Sequence, residues 1–258
     1  MNDATRDIEM LASAPVLLVA SDFDGTLAEL APRPDAVRPN LEALDSLREL
    51  GELPRTFTAV ISGRALSDLS LHLPDEKDLK LFGSHGGEGS WRLTAMTPEQ
   101  KSTLVSLTQG SHSLAARFAG SLVEEKPFGV AFHYRSVDRV VLPRLLMEIQ
   151  KLGEQFPNAT RLRGIEVVEF LALEANKGRC LEWLTSHVGA SRTVFLGDDT
   201  TDESAFAVLR AQDIGIKVGS GETVANRRIA DPAAVGVFLR ALADARKIAI
   251  ERGTADQA

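Results

Sequence analysis

Two aspartates spaced two apart, Asp22 and Asp24, follow an apolar run in Ser21-Asp22-Phe23-Asp24-Gly25-Thr26-Leu27. A third acidic group ends another such run in Gly197-Asp198-Asp199-Thr200-Thr201-Asp202-Glu203. Brought together, Asp22, Asp24 and Asp198 would repel one another unless a cation neutralised them, and oxygen ligands of this kind suit Mg²⁺. A carboxylate beside Mg²⁺ can attack phosphorus and form an aspartyl-phosphate. A second carboxylate two residues on can protonate the leaving oxygen and then activate water. Phosphoryl transfer also asks for positive charge and hydrogen bonds around the equatorial oxygens. Lys177 can supply the charge; Ser62 and the backbone N–H groups of Gly25 and Gly63 can supply the bonds. Plainer readings stand beside these. The aspartates, Asp199 and Asp202 above all, can cap helices, Ser62 can be a turn hydroxyl, and Lys177 a solvated lysine. A cation at a helix start is disfavoured by the helix dipole, and that misplacement favours a functional role for Lys177.

These residues must be positioned by strands. Pro15-Val16-Leu17-Leu18-Val19-Ala20 reads as a strand buried on both faces. Thr58-Ala59-Val60-Ile61-Ser62-Gly63-Arg64 and Thr193-Val194-Phe195-Leu196-Gly197 repeat the pattern of an apolar run ending in glycine and polar groups. Parallel strands put their C-terminal ends on one edge, where an open α/β sheet binds ligands. Leu79-Lys80-Leu81-Phe82, followed by Gly83-Ser84-His85-Gly86-Gly87-Glu88, adds a fourth strand at that border. Asn40 reads as an N-cap, with Leu41, Leu44, Leu47 and Leu50 as one helical stripe and Gly51 as the stop. The strand at 56–62 closes a β-α-β unit.

From about Thr97 the rhythm becomes α-β-β twice over, with strand-like runs at 121–124, 129–134, 159–163 and 165–171. Consecutive short strands pair antiparallel. Residues 97–172 are therefore expected to form an α+β module inserted into a Rossmann-like parallel-sheet core of residues 1–96 and 173–258. Further helices are expected over 201–209 and 232–247, a strand over 214–219, and an unstructured tail over 252–258.

The 258 residues are 44% hydrophobic and 25% charged, ordinary for a globular protein. The net charge of −7 argues against a general nucleic-acid binder. The single cysteine, Cys180, excludes a disulfide framework or a cysteine zinc site within one chain. The N-terminus lacks the basic region of a signal peptide, and no apolar stretch is long enough to span a membrane. A cytoplasmic monomer with no nucleic-acid or membrane partner is expected.

Asp22-Phe23-Asp24-Gly25-Thr26, Ser62, Lys177 and Gly197-Asp198-Asp199-x-x-Asp202 resemble, in order and spacing, the four motifs of the haloacid dehalogenase superfamily of phosphatases. The resemblance implies a nucleophile at Asp22, an acid/base at Asp24, and phosphate contacts from Ser62 and Lys177. It also implies Mg²⁺ held by Asp22, the Asp24 backbone carbonyl and Asp198, and a large cap formed by the insertion. Within that superfamily, Ile61-Ser62-Gly63-Arg64, Ser84-His85-Gly86-Gly87-Glu88, Glu124-x-Lys126, His133-Tyr134-Arg135 and Val218-Gly219-x-Gly221-x-Thr223-x-Ala225 are similar to the trehalose-6-phosphate phosphatases. On that resemblance, Glu124, Lys126, Arg135 and Glu169 bind sugar hydroxyls, Gly63 joins the substrate-binding residues, and Arg64 and His85 lie near the phosphate or the cap interface. Phe170-Leu171-Ala172-Leu173 departs from the basic residue and proline that the family commonly carries after the residue matching Glu169. Pro127-Phe128 also interrupts the strand after Lys126. Both departures bear on the sugar, so another sugar phosphate, such as sucrose or glucosylglycerol phosphate, stays open as substrate. A phospho-receiver or non-catalytic binder is the alternative of a different class. A receiver needs neither Asp24 as an acid/base nor a large inserted module, and a pure binder has no use for a nucleophile. His133 reads as a strand-pair histidine.

Overall fold

The computed structural model describes residues 3–31, 36–73, 78–89, 96–126, 128–172 and 176–255. The chain divides into two compact units, Met1–Leu93 with Asn176–Ala258, and Thr94–Ala175.

The first unit contains α1 (Asp3–Ala12), β1 (Leu17–Ser21), α2 (Leu41–Glu52), β2 (Thr56–Ile61), α3 (Leu66–His72), β3 (Leu79–Gly83) and β4 (Glu88–Gly89). The inserted unit contains α4 (Pro98–Ala115), β5 (Leu122–Lys126), β6 (Gly129–His133), α5 (Leu142–Glu154), β7 (Thr160–Gly164) and β8 (Val167–Leu171). The first unit then resumes with α6 (Lys177–Val188), β9 (Arg192–Gly197), α7 (Glu203–Ala207), β10 (Ile214–Val218), β11 (Arg227–Ile229) and α8 (Pro232–Ala255).

The main sheet runs β11-β10-β9-β1-β2-β3-β4, with parallel pairs throughout except β3 with β4. Alternation along β1 shows why it is apolar throughout. Leu17 and Val19 pack with α2 and α8 residues such as Leu47 and Leu239, while Leu18 and Ala20 pack with α6 residues such as Leu181 and Leu184. With both faces buried, its only polar outlet is its C-terminal end. The chain leaves β1 to one side for β2 and returns on the other side as β9, so that end of β1 is the topological switch point of the sheet.

The Asn40 cap forms as expected, its side chain accepting the Ala43 N–H. Gly51, however, does not stop α2. The helix runs to Glu52, and a Cβ at Gly51 would meet Thr58 Oγ1 at 2.9 Å, so this glycine serves close packing on β2. The stop falls at Leu53, held extended by Pro54. The helix expected over 201–209 is broken into a 3₁₀ turn, Thr200–Asp202, and the short α7, because Asp199 and Asp202 form a reciprocal capping box. The tail expected from 252 is helical to Ala255. Buried Arg246 of α8 helps to hold that helix, donating to the carbonyls of Ala12, Ala14 and Arg55 and to Thr56 Oγ1.

In the inserted unit the strands form an antiparallel sheet, β5-β6-β8-β7. Val130, Phe132, Val168 and Phe170 face α4 and α5, packing on Leu107, Leu114, Leu145 and Ile149. The opposite face carries Glu124, Ala131 and Glu169 in one register row, with Lys126 beside them. Pro127 lies outside the described residues, as do Pro32, Pro34 and Leu173.

Candidate active site

The end of β1 carries Asp22, whose N–H donates to Leu196 O at 2.8 Å and so ties the loop to β9. Lys177, first residue of α6, is 2% exposed. It is not the solvated helix-start lysine of the plainer reading. Its Nζ lies 2.9 Å from Asp22 Oδ1 and 2.7 Å from Asp202 Oδ1. Burial alone would lower the Lys177 pKa, but Asp22 and Asp202 together hold it raised. The Asp22 carboxyl is driven well above its ordinary range by burial, against the pull of Lys177 and with the push of Asp202 and Asp198. Asp198 rises to about 6, again chiefly through burial, then through Asp202. The hydroxyl of Thr26 donates to Asp198 Oδ1 at 3.1 Å and opposes that rise.

Oxygens of Asp22, Asp198 and Asp202 all lie within 4.8 Å of one another. Three carboxylates this close, with Lys177 as the lysine among them, carry an excess of negative charge on hard oxygen donors, which fits Mg²⁺. Asp202 is spent on its neighbours, since Oδ1 takes Lys177 and Oδ2 takes the Asp199 N–H at 2.9 Å. The oxygens positioned for a cation are therefore those of Asp22 and Asp198. Gly25 makes their approach possible. Its φ is +78°, and a Cβ there would collide with the Asp198 carboxylate. A cavity of about 320 Å³ opens beside Gly25 and Asp198, lined also by Glu29, Gly219, Ser220 and Asp231.

The Asp24 carboxylate is not in this cluster. It is forked onto Arg64, with Nε and Nη2 donating at 2.6 and 2.7 Å. Asp199 acts as the cap of the 3₁₀ turn, accepting the Thr200 N–H at 2.6 Å. Ser62, at the end of β2, is 1% exposed, and its Oγ accepts the Arg64 N–H at 3.2 Å. His85 has φ +57° inside a left-handed turn with Ser84 and Gly86. The His85 N–H donates to Ser62 O at 2.8 Å, and a Cβ on Gly63 would meet the His85 ring at 2.8 Å.

In the inserted unit Lys126 pairs with Glu169 at 3.0 Å, both side chains 14% exposed, and Glu124 pairs with His133 at 2.9 Å. Arg135 stands apart from these. It donates to Glu166 at 3.0 Å, in the turn between β7 and β8.

Two contributors, Lys217 outside the motifs and Glu88 inside one, have roles that the motifs do not give. Lys217 is 4% exposed on β10 and donates to the Asp198 carbonyl at 2.5 Å. A lone lysine inside Ile214-Gly215-Ile216-Lys217-Val218 was the available signal. Glu88 accepts both the Ser84 hydroxyl, at 2.5 Å, and the Leu66 N–H, at 3.3 Å, and so anchors the start of α3.

A family model described as trehalose-phosphatase matches residues 20–234 of the chain. The chain belongs to the trehalose-phosphatase family. A trehalose-phosphate phosphatase of Mycobacterium avium is 34% identical over 256 residues, covering 90% of this chain and 62% of that protein. A trehalose 6-phosphate phosphatase of Zea mays is 30% identical over 260 residues, covering 90% of this chain and 71% of that protein. An uncharacterized glycosyl hydrolase of Mycobacterium tuberculosis is 33% identical over 243 residues, covering 86% of this chain but only 18% of that protein. The chain thus spans less than two thirds of these mycobacterial relatives. Among solved structures, the C-terminal domain of a C. albicans trehalose-6-phosphate phosphatase aligns over 94% of this chain and 98% of its own, with TM-score 0.76 and 20% identity. An Aspergillus fumigatus trehalose-6-phosphate phosphatase covers the same shares, with TM-score 0.71 and 23% identity. These two likenesses establish that trehalose-phosphatase family members share this fold.

Proposed function

We propose that the chain is a cytoplasmic, Mg²⁺-dependent phosphatase that hydrolyses trehalose 6-phosphate to trehalose and phosphate. The observation that carries this reading is the buried group of Asp22, Lys177 and Asp202 at the switch point of the sheet, with Asp198 beside it, in a chain of the trehalose-phosphatase family. Among the described residues, no helix is long and apolar enough to cross a membrane.

The side chains divide the work. Asp22 attacks phosphorus, forming the Asp22–phosphorus bond as the bond from phosphorus to the sugar oxygen breaks. Asp24 gives its proton to that leaving oxygen and then takes one from the water that attacks the aspartyl-phosphate. Lys177 holds Asp22 in place, is itself braced by Asp202, and offers charge to the phosphoryl oxygens. Ser62 and the backbone around Gly25 and Gly63 supply hydrogen bonds to the same oxygens. Asp22, Asp198 and the Asp24 carbonyl would hold Mg²⁺, which when bound would supply further positive charge to the phosphoryl group. Thr26 and Lys217 fix Asp198 for that task, one through its carboxylate and one through its carbonyl.

Glu124, Lys126, Arg135 and Glu169 are assigned to the sugar hydroxyls, which both donate and accept and so suit charges of both signs. The test is phosphate release from a panel of sugar phosphates with Mg²⁺, with chelator and Asp22→Asn as controls. A preference for trehalose 6-phosphate that disappears in both controls supports the reading. Preference for a different sugar phosphate would keep the chemistry and replace the substrate, while release that survives Asp22→Asn would remove the assigned nucleophile.

A further inference from the structure

Beside β2 lies a cluster that the reaction above leaves unexplained. Arg64, with its side chain 8% exposed, presents two edges. Nε and Nη2 are forked onto Asp24, while Nη1 donates to Asp68 Oδ2 at 2.7 Å and to His72 Nε2 at 3.0 Å. The guanidinium also lies over the ring of Phe23, 5.5 Å from its centroid, and Phe23 is fully buried. Arginine only donates, so His72 Nε2 is the acceptor in this contact. Asp68 and His72 follow Arg64 by four and eight residues, a spacing that lines one side of a helix turn. The cap residue of α3, Ala65, makes no side-chain bond, and Glu88 takes over by accepting the Leu66 N–H.

The two edges of Arg64 face different demands. The fork engages both Asp24 oxygens. To act as an acid Asp24 must carry a proton on one oxygen, and a protonated oxygen is a poor acceptor for a guanidinium N–H, so at least one of these bonds gives way in each cycle. A guanidinium held by Asp24 alone would then swing away. Held by its Nη1 edge and by Phe23, it stays, and the vacated edge has the planar fork that matches phosphoryl oxygens. Resting on the phosphatase reading, we propose that Asp68 and His72 are positioning residues: they keep Arg64 in place while its Nε/Nη2 edge passes from Asp24 to the phosphoryl group.

Two experiments separate this from the reading beneath it. The first is the structure of the whole chain with Mg²⁺ and tungstate, an inert phosphate mimic. The expected result is Nε/Nη2 on tungstate with Nη1 still on Asp68. Tungstate bound while Arg64 remains forked on Asp24, Arg64 drawn off Asp68, or no tungstate at Arg64 each overturns the proposal, whatever the protein turns over. The second is kinetics of Asp68→Ala and His72→Phe, with melting temperatures to show that they fold. Both are expected to lower kcat about tenfold or more, with a smaller change in KM, and Asp68→Glu is expected to recover most of the loss. Turnover of both variants equal to the parent overturns the proposal. A parent inactive on every sugar phosphate refutes the phosphatase reading, and the tungstate structure then decides the role of Arg64.

Discussion

The two units handle charge in opposite ways. At the end of β1, Lys177, Asp22 and Asp202 are 2%, 6% and 0% exposed, and every oxygen of Asp202 has an assigned partner. In the inserted unit, Glu124 with His133 and Arg135 with Glu166 are partly solvated, and even Lys126 with Glu169 keeps some access to water. A buried pair that loses one partner strands a charge, at a cost of about 3–5 kcal/mol. An exposed pair is worth about 0–1 kcal/mol and can exchange its partner for another hydroxyl or ion. The first arrangement suits chemistry that must be held fixed. The second suits recognition, where partners change with each binding event.

That contrast is broken most directly at Asp22. Asp22→Asn is expected to lower phosphate release by on the order of 10⁴-fold or more, because the nucleophile is gone while the fold stays. Lys177→Met comes next. In the absence of Mg²⁺ it is expected to lower stability by about 3–5 kcal/mol in urea unfolding, since Asp22 and Asp202 would lose their shared cation. An unchanged unfolding midpoint would mean that the cluster is not as closely coupled as its distances indicate. Gly25→Ala is smaller in volume but forces φ +78° on an alanine and puts a Cβ against Asp198. A loss of about 1–2 kcal/mol and weaker Mg²⁺ binding by titration calorimetry are expected.

The pH dependence sharpens the same comparison. Burial raises Asp198 to about 6 from the ordinary 3.8, so folding of the metal-free chain strengthens its hold on a proton. Its contribution to stability is fully present below 3.8 and is lost as pH rises through about 6. Mg²⁺ bound at Asp198, as proposed, would take the place of that proton. The gain in melting temperature on adding Mg²⁺ should therefore grow between about pH 5 and about pH 7.5. The smallest effect on stability lies in the inserted unit. Glu124→Ala and Arg135→Ala are expected to change stability by less than about 1 kcal/mol, while raising KM for a disaccharide phosphate and sparing a small aryl phosphate.

Much of the core was legible because its signals are local. Apolar runs ending in glycine and polar or acidic groups marked β1, β2 and β9, and Asn40 marked the start of α2. Gly51 misled because a glycine that relieves crowding against Thr58 looks the same in sequence as one that ends a helix. The end of α8 was hidden for a related reason. Arg246 is held by carbonyls from Ala12 and Ala14, more than two hundred residues away, and no local pattern records that. Within the site, Asp22 and Asp198 were readable as strand-end residues, and Lys177 as a lysine misplaced at a helix start. The fork of Arg64 on Asp24 and the bond from Lys217 to the Asp198 carbonyl depend on which strands become neighbours. Spacing along the chain does not carry that information.

The account rests on Asp22 as the group that takes the phosphoryl. Rapid acid quench during turnover of trehalose 6-phosphate carrying a radiolabelled phosphoryl group, followed by peptide mapping, tests it most directly. The account predicts label on the peptide containing Asp22, and none in Asp22→Asn. Full turnover with no protein-bound label at any time, or label on a peptide without Asp22, would contradict it.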